Sequence, residues 1–214
     1  MRFLCFSILV CSISFLPVIH CDGQTVFKAN LDQAQAGGTG SSAIGFALLC
    51  LDTSTPVPEL NMSIRLSGVL TSQVTGFHIH AAPAGASGPI VFGLVNPNHD
   101  LNDFFDFGTG YTGRWDPADT GAATLPSQLP ALLANNLYFD LHTAAFPAGE
   151  IRGQILAVLF GDINLDGSKD LFDVIGFVNL LTTGGYQIEG DFNKDGVINL
   201  IDVMPFVASL ATGC

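Results

Sequence analysis

The chain has 214 residues, of which 48% are apolar and 12% are charged. That composition is sufficient for a hydrophobic core and excludes a largely disordered chain. Its net charge of -12 excludes nucleic acids and anionic membrane surfaces as partners, because both would repel the protein.

Residues 1–23 have the pattern of a secretory signal peptide. Arg2 supplies the positive charge, residues 3–19 form the apolar segment, and Cys21 and Gly23 are the small residues before the predicted cleavage site. The segment is too short for a convincing membrane span, and no later stretch is long and apolar enough. We therefore predict a secreted protein without a membrane span. In the alternative interpretation the segment is a lipoprotein signal, and Cys21 carries a lipid anchor.

Residues 24–160 alternate short apolar runs with turn-forming residues, which predicts a series of β-strands. The seven predicted strands are TVFKANL, AIGFALLCL, MSIRLSGVL, TGFHIH, GPIVFGLV, NLYFDLHT and EIRGQILAVLF. Such a series favours an antiparallel sandwich or barrel. The segment PSQLPALLANN predicts a short helical turn. Residues 96–116 are interpreted as a loop that covers an open end of the sheet, with ligand binding as the alternative.

Two parts of this region resemble a known family. TGFHIHAAPAGASGPIVF and LYFDLHTAAFPAGEIRGQI are similar to the CHRD domain, the repeated module first described in chordin, and the resemblance covers residues 25–158. It implies that residues 24–160 form an all-β domain of the immunoglobulin-like sandwich or barrel type. Growth-factor binding is not implied, because the chain has one such domain and lacks the cysteine-rich repeats of chordin.

His78 and His80 alternate with apolar residues, so their side chains share one face of a predicted strand. Imidazole groups on adjacent strands suit copper or zinc. An HxH pair followed by a later histidine is similar to the copper-zinc superoxide dismutases. That resemblance implies that His78, His80 and His142 are copper or zinc ligands in a redox protein, with His99 as a candidate fourth ligand. In the alternative interpretation the histidines only form hydrogen bonds with backbone groups or with Asp140.

Two segments near the C-terminus repeat with an offset of 29 residues (191 − 162). Each contains D-x-N-x-D-G and an aspartate at the twelfth position, which is the pattern of an EF-hand calcium loop. The predicted ligands of a first calcium ion are Asp162, Asn164, Asp166, the Ser168 carbonyl, Asp170 and Asp173. The predicted ligands of a second calcium ion are Asp191, Asn193, Asp195, the Val197 carbonyl, Asn199 and Asp202.

Each loop runs into an apolar predicted helix, no helix precedes it, and its twelfth residue is aspartate rather than glutamate. In these respects residues 161–210 resemble the type I dockerins. The resemblance implies a small α-helical module over residues 161–214, with two EF-hand-like loop–helix repeats that bind calcium. It also implies docking onto a cohesin-type scaffold protein, typically in extracellular polysaccharide breakdown. In the alternative interpretation the module binds calcium as a stabiliser and has no partner.

The predicted helices are apolar around most of their circumference, which is more than a small module needs. We therefore expect part of that surface to contact the β domain, a partner, or both, with mutual packing of the two helices as the alternative. Loop positions 10 and 11, often polar in dockerins, are Leu171-Phe172 and Leu200-Ile201.

Cleavage after Gly23 would leave Cys50 and Cys214 as the cysteines of the mature chain. They are expected to form a disulfide if the C-terminus folds back on the β domain, with a buried free thiol at Cys50 as the alternative. No GxSxG or HExxH motif of a hydrolase occurs. The sequence therefore favours a non-catalytic binding or structural protein, with the copper or zinc redox protein as the alternative.

Overall fold

The computed structural model describes residues 25–69, 71–95, 104–106, 110–119, 122–166 and 168–211. Within these residues the strands are β1 (Thr25–Leu31), β2 (Ile44–Asp52), β3 (Glu59–Ser67), β4 (Val74–Ala81), β5 (Ile90–Val95), β6 (Phe104–Asp106), β7 (Gly110–Trp115), β8 (Leu137–Thr143) and β9 (Ile151–Ala157). The helices are α1 (Leu125–Leu133), α2 (Asp173–Thr183) and α3 (Leu200–Ala211), and short 3-10 turns occur at Thr71–Gln73 and Ile188–Gly190. No helix in this part of the chain has the length and apolar character needed to cross a membrane.

The strands form one antiparallel sheet in the order β5-β4-β8-β9-β1-β2-β3-β7-β6. The sheet curves into a near-barrel, so that Phe92 of β5 stacks on Trp115 of β7 with ring centroids 4.8 Å apart. Helix α1, the predicted helical turn, adds the buried side chains of Leu125 and Leu132 to the same core. The predicted mainly β, antiparallel fold is thus confirmed, and all seven predicted strands are present.

The prediction that residues 96–116 form a covering loop was wrong for the second half of that segment. β7 pairs with β3 along its whole length, and β6 pairs with β7. Tyr111 and Trp115 of β7 are buried in the core. The other strands are marked by aliphatic residues, whereas β7 has two glycines, Gly110 and Gly113, and two widely spaced aromatic residues. The period-two pattern of apolar residues is therefore weak in β7.

The packed core fixes the positions of strands β4 and β8. Phe77 and Ile79 of β4 and Phe139 and Leu141 of β8 are fully buried in it. Burying an apolar side chain of this size stabilises a fold by about 1.5–3 kcal/mol. Because β4 and β8 are adjacent and successive side chains alternate, the polar residues between these apolar positions share the outer face of the sheet.

Residues 161–211, which we call the tail, form two loops that are each followed by a helix at the predicted place. The rings of Phe177 and Phe206 stack with centroids 4.1 Å apart, joining α2 to α3. Ile163 and Ile198 complete the buried apolar core of the described tail. A core this small supplies little stability by itself.

Among the described residues, the contacts between the tail and the β domain include an ion pair and a small apolar cluster. The ammonium of Lys28 on β1 pairs with the carboxylate of Glu189, whose side chain is 2% exposed. Beside the ion pair, Ile188 packs against Val26 and Cys50 of the β domain. Because removing one partner would leave a buried charge unpaired, the ion pair constrains where the tail sits.

Cys50 is disulfide-bonded, which excludes the alternative of a free thiol at this residue. The described residues contain no other cysteine, so its partner lies outside them. Cys214, the predicted partner, also lies outside them, and the Cys50–Cys214 pair stays a prediction. The predicted signal peptide, residues 1–23, with the candidate lipidation site Cys21, is likewise beyond the described part of the chain.

Candidate functional site

His78 and His80 on β4 and His142 on β8 converge on the outer face of the sheet, and we call them the histidine site. Their ring centroids are 5.3, 5.8 and 6.2 Å apart. One ring nitrogen from each histidine lies within 4.8 Å of those of the other two. The convergence follows from the pairing of β4 with β8, which sets His142 opposite Gly76, two residues before His78.

The approach of two of the rings depends on Gly76. A Cβ atom at this position would lie 2.7 Å from Cε1 of His78 and 3.6 Å from Cδ2 of His142. The shorter distance is below any normal contact between carbon atoms, so a larger residue would displace the His78 ring. Gly76 was not among the predicted site residues, although its place immediately before FHIH was a signal.

Main-chain carbonyl groups fix the proton position on two of the rings. Nδ1 of His80 lies 2.9 Å from the carbonyl oxygen of Gly88, and Nδ1 of His142 lies 3.2 Å from that of Pro147. A carbonyl oxygen only accepts, so each Nδ1 donates, and in the neutral ring each Nε2 has a lone pair. Nε2 of His80 is buried and has no hydrogen-bond partner among the described residues. The site therefore holds ring nitrogens suited to act as metal ligands.

A stack of side chains restrains the His80 ring. The ring of Tyr138 lies against it with centroids 5.0 Å apart and planes inclined by 16°. The guanidinium carbon of Arg152 lies 3.4 Å from the centre of the Tyr138 ring, an attractive cation–π geometry. Asp140 is half-buried on the same face. Burial raises the pKa of Asp140 above its usual value, although the nearby histidines and Arg152 oppose this shift.

The structure thus brings together the three predicted histidines, His78, His80 and His142, and leaves His99 outside the described residues. The alternative prediction of hydrogen bonds to the backbone is also correct for His80 and His142. Oδ1 of Asp140 has no hydrogen-bond partner within the described part of the chain. These hydrogen bonds use Nδ1 and leave Nε2 available, so they do not exclude a role for His80 and His142 as metal ligands.

The two acidic loops of the tail have the same internal hydrogen bonds. Oδ1 of Asp173 accepts from the backbone N–H groups of Ile163 and Asn164, and Oδ2 accepts from that of Asp170. Asp202 accepts the three equivalent N–H groups of the second loop. Asp173 and Asp202 are both fully buried. The twelfth residue therefore holds the backbone of each loop closed.

The fourth residue of each loop has a left-handed backbone, with φ of 62° at Leu165 and 60° at Lys194. This conformation costs a residue with a Cβ atom about 1–2 kcal/mol. The next residue in each loop donates its N–H to the first-position carboxylate of Asp162 or Asp191, at 3.1 Å. The remaining predicted calcium ligands lie on the same two loops: Asn164, Asp166, Ser168, Asp170, Asn193, Asp195, Val197 and Asn199.

The structure does not bring the loop carboxylates as close together as the histidines. The histidine site has three ligand atoms within 4.8 Å of one another. Among the described residues, no other group of three or more His, Cys, Asp or Glu side chains meets this distance. In the second loop, Asp191 also accepts a hydrogen bond from the Tyr186 hydroxyl, at 3.0 Å. Burial raises the pKa of Asp191, and the nearby Asp202 carboxylate adds to the shift. Like charges in both loops oppose closer approach.

Exposed apolar residues of the tail form a duplicated set, which we call the repeat face. Its members are pairs of residues 29 positions apart (200 − 171): Leu171 and Leu200, Phe172 and Ile201, Ile175 and Met204, and Val178 and Val207. These residues are 50–81% exposed. They therefore pack neither into the core between the helices nor against the β domain. Concentrated exposed apolar surface is typical of an interaction site.

Comparison with protein families gave a match to the model described as the CHRD domain, at residues 27–155. The matched residues include the whole histidine site and exclude the tail. Comparisons with curated proteins and with solved structures gave no match.

Proposed function

Because the chain belongs to the CHRD domain family, we propose that it is an exported, extracellular binding or structural protein without catalytic activity. In this proposal the tail binds two calcium ions and docks onto a cohesin-type scaffold protein. The β domain is then displayed in an extracellular assembly, of the kind that degrades polysaccharides.

The repeat face is the observation that carries the docking proposal. Eight large apolar side chains at equivalent positions of two repeats are exposed to water. Covering each of them would contribute up to about 1.5–3 kcal/mol. Two similar half-surfaces, one on each repeat, suit a single apolar partner surface. The net charge of -12 argues against a nucleic acid or an anionic membrane in that place.

The donor set of the two loops supports calcium as the ion. Carboxylate, amide and carbonyl oxygens are the ligands that calcium prefers, and each loop offers them at the spacing of an EF-hand. The ion would supply positive charge where each loop gathers several carboxylates. The repeated hydrogen bonds of Asp173 and Asp202 already give both loops the same closed backbone.

Calcium binding and docking are connected through the order of residues in the loops. Leu171 and Phe172 lie between the predicted ligands Asp170 and Asp173. A calcium ion that fixes those two ligands also fixes the apolar pair between them, and the second loop repeats the arrangement. Docking is therefore expected to require calcium.

The docking proposal is tested by calorimetric titration of the purified full chain against a panel of cohesin domains, in calcium and in chelator. We expect binding in calcium that is lost in chelator. Replacing Leu171, Phe172, Leu200 and Ile201 together with serine should abolish it, because both halves of the repeat face lose their first two residues.

A variant with Ile44→Ser and Leu133→Ser is the matched control, because these residues of the β domain are similarly exposed, at 58% and 56%. The control should bind like the original chain. If no cohesin domain binds in calcium, the docking proposal is wrong, and a tail that binds calcium only as a stabiliser replaces it.

A further inference from the structure

We propose that the histidine site binds one divalent copper or zinc ion through His78, His80 and His142. The proposal is independent of calcium binding by the tail. In a tetrahedral zinc site with Zn–N bonds of about 2.0–2.1 Å, ligand nitrogens are about 3.3 Å apart. The ring nitrogens already lie within 4.8 Å of one another. Small rotations of the rings would therefore complete the geometry.

The hydrogen bonds of the site leave Nε2 as the available ring nitrogen on two of the ligands. Metal-ligating histidines characteristically donate their other N–H to a carbonyl or carboxylate, which fixes the tautomer and the ring orientation. His80 and His142 do so through Nδ1, to the carbonyls of Gly88 and Pro147. A metal bound to Nε2 of His80 would give that buried atom the partner it lacks among the described residues.

The ligands are held on paired strands rather than on loops. On the reverse face, Phe77 and Ile79 of β4 and Phe139 and Leu141 of β8 are fully buried. Tyr138 restrains one ring by stacking on His80, and Gly76 leaves the space that the His78 ring occupies. Sites supported in this way keep their geometry better than sites on loops.

The donor set distinguishes this site from the acidic loops. Three imidazole nitrogens suit copper and zinc, whereas calcium and magnesium prefer oxygen ligands. Three protein ligands leave a fourth coordination position, as in zinc sites that bind water or an external ligand. The three histidines are part-buried.

The test is a calorimetric titration of the full chain with zinc or copper, in excess calcium so that the acidic loops do not take up the added ion. We expect one equivalent to bind. Copper-loaded protein should show nitrogen hyperfine structure in its electron paramagnetic resonance spectrum. A His80→Ala, His142→Ala variant should lose at least 100-fold in affinity, since two of the three ligands are gone.

Two further variants separate loss of ligands from loss of fold. Gly76→Ala keeps every ligand but displaces the His78 ring, so its affinity should fall about 10-fold or more, in the range for supporting residues of metal sites. A variant with Asp162→Ala and Asp191→Ala should bind zinc like the original chain. Absence of stoichiometric binding, or its persistence in the double histidine variant, would overturn the proposal.

Discussion

The two candidate metal sites hold their ligands in different ways. The histidine site places neutral nitrogens on adjacent strands, and the pairing of β4 with β8 sets their spacing. The acidic loops place charged oxygens on irregular backbone above a small core. Neutral ligands on a packed sheet can stay close without an ion, whereas like charges on a loop repel. We therefore expect the tail, and not the β domain, to need its ions in order to stay folded.

The largest expected effect is unfolding of the tail when calcium is removed. Calcium at a hundredfold excess over its dissociation constant stabilises the folded state by about 2.7 kcal/mol for each site. Chelation, or the paired changes Asp162→Ala and Asp191→Ala, should therefore melt residues 161–211 and leave the β domain folded. Circular dichroism at the helical minimum and limited proteolysis measure the two parts separately.

The control for these variants removes two acidic residues from the sheet, Asp52→Ala with Glu59→Ala. These residues face each other on β2 and β3, and the carboxylate of Glu59 forms a part-exposed ion pair with Arg114. Such a pair is worth about 0–1 kcal/mol, so the tail should remain folded. If the tail stays folded when calcium is chelated, the calcium proposal is wrong, and so is the contrast between the acidic loops and the histidine site.

A disulfide is the second predicted contribution to holding the tail. Cys50 is disulfide-bonded and lies beside Ile188 of the tail. We predict that Cys214 is its partner, and that replacing both cysteines with alanine lowers the free energy of unfolding by about 2–4 kcal/mol. A peptide map of the non-reduced protein identifies the pair. Finding Cys21 in its place would contradict this pairing and the predicted cleavage after residue 23.

The ion pair between Lys28 and Glu189 is the third contribution. Lys28→Met should destabilise the attached tail by about 2 kcal/mol, because Glu189 is left buried and unpaired, and the loss is moderated by the partial exposure of the lysine. Adding Glu189→Leu should restore most of the stability. Thermal unfolding monitored by helical circular dichroism measures both variants. An equal loss in the single and double variants would show that the contact depends on the charges themselves.

A smaller effect should distinguish the two loops from each other. The first loop has aspartate at its ninth position, Asp170, where the second has Asn199. Each additional carboxylate strengthens calcium binding, so the first loop should bind more tightly, by about tenfold or 1.4 kcal/mol. Asn199→Asp should raise the affinity of the second loop, and Asp170→Asn should lower that of the first. Calcium titration calorimetry resolves the two sites, and equal affinities would contradict this order.

Local patterns in the sequence were sufficient for much of the fold. The strands around Phe77 and Phe139 were predictable because apolar and polar residues alternate there. The two tail loops were predictable because the predicted calcium ligands of each loop lie within twelve consecutive residues. Strand β7 was missed because Tyr111 and Trp115 are its widely spaced core residues. Hydrogen bonds with β3, which is distant in sequence, hold β7 as a strand although its local apolar pattern is weak.

The candidate sites were likewise predictable where they depend on local spacing and not where they depend on contacts distant in sequence. The i, i+2 spacing placed His78 and His80 on one face, but the pairing that brings His142 beside them joins strands about sixty residues apart (142 − 80). The roles of Gly76 and of the Gly88 carbonyl depend on distances that no spacing rule contains. Likewise, the periodicity indicated that the tail helices have more apolar surface than a small module needs. It did not indicate which side of each helix would remain exposed.

The smallest expected effect is on the stability of the metal-free β domain. His142→Ala removes one neutral hydrogen bond, to the Pro147 carbonyl, and should lower the free energy of unfolding in chelator by about 0.5–1.5 kcal/mol. The strand content measured by circular dichroism should not change, because the buried core residues beneath the site stabilise the fold.

Zinc should raise the melting temperature of the original chain and not that of the His142→Ala variant. Thr112→Ala, at an exposed position on β7, is the control and should retain the response to zinc. If chelation alone unfolds the β domain, the histidines are a structural metal site, and the contrast between a preformed site on the sheet and ion-dependent loops in the tail is wrong.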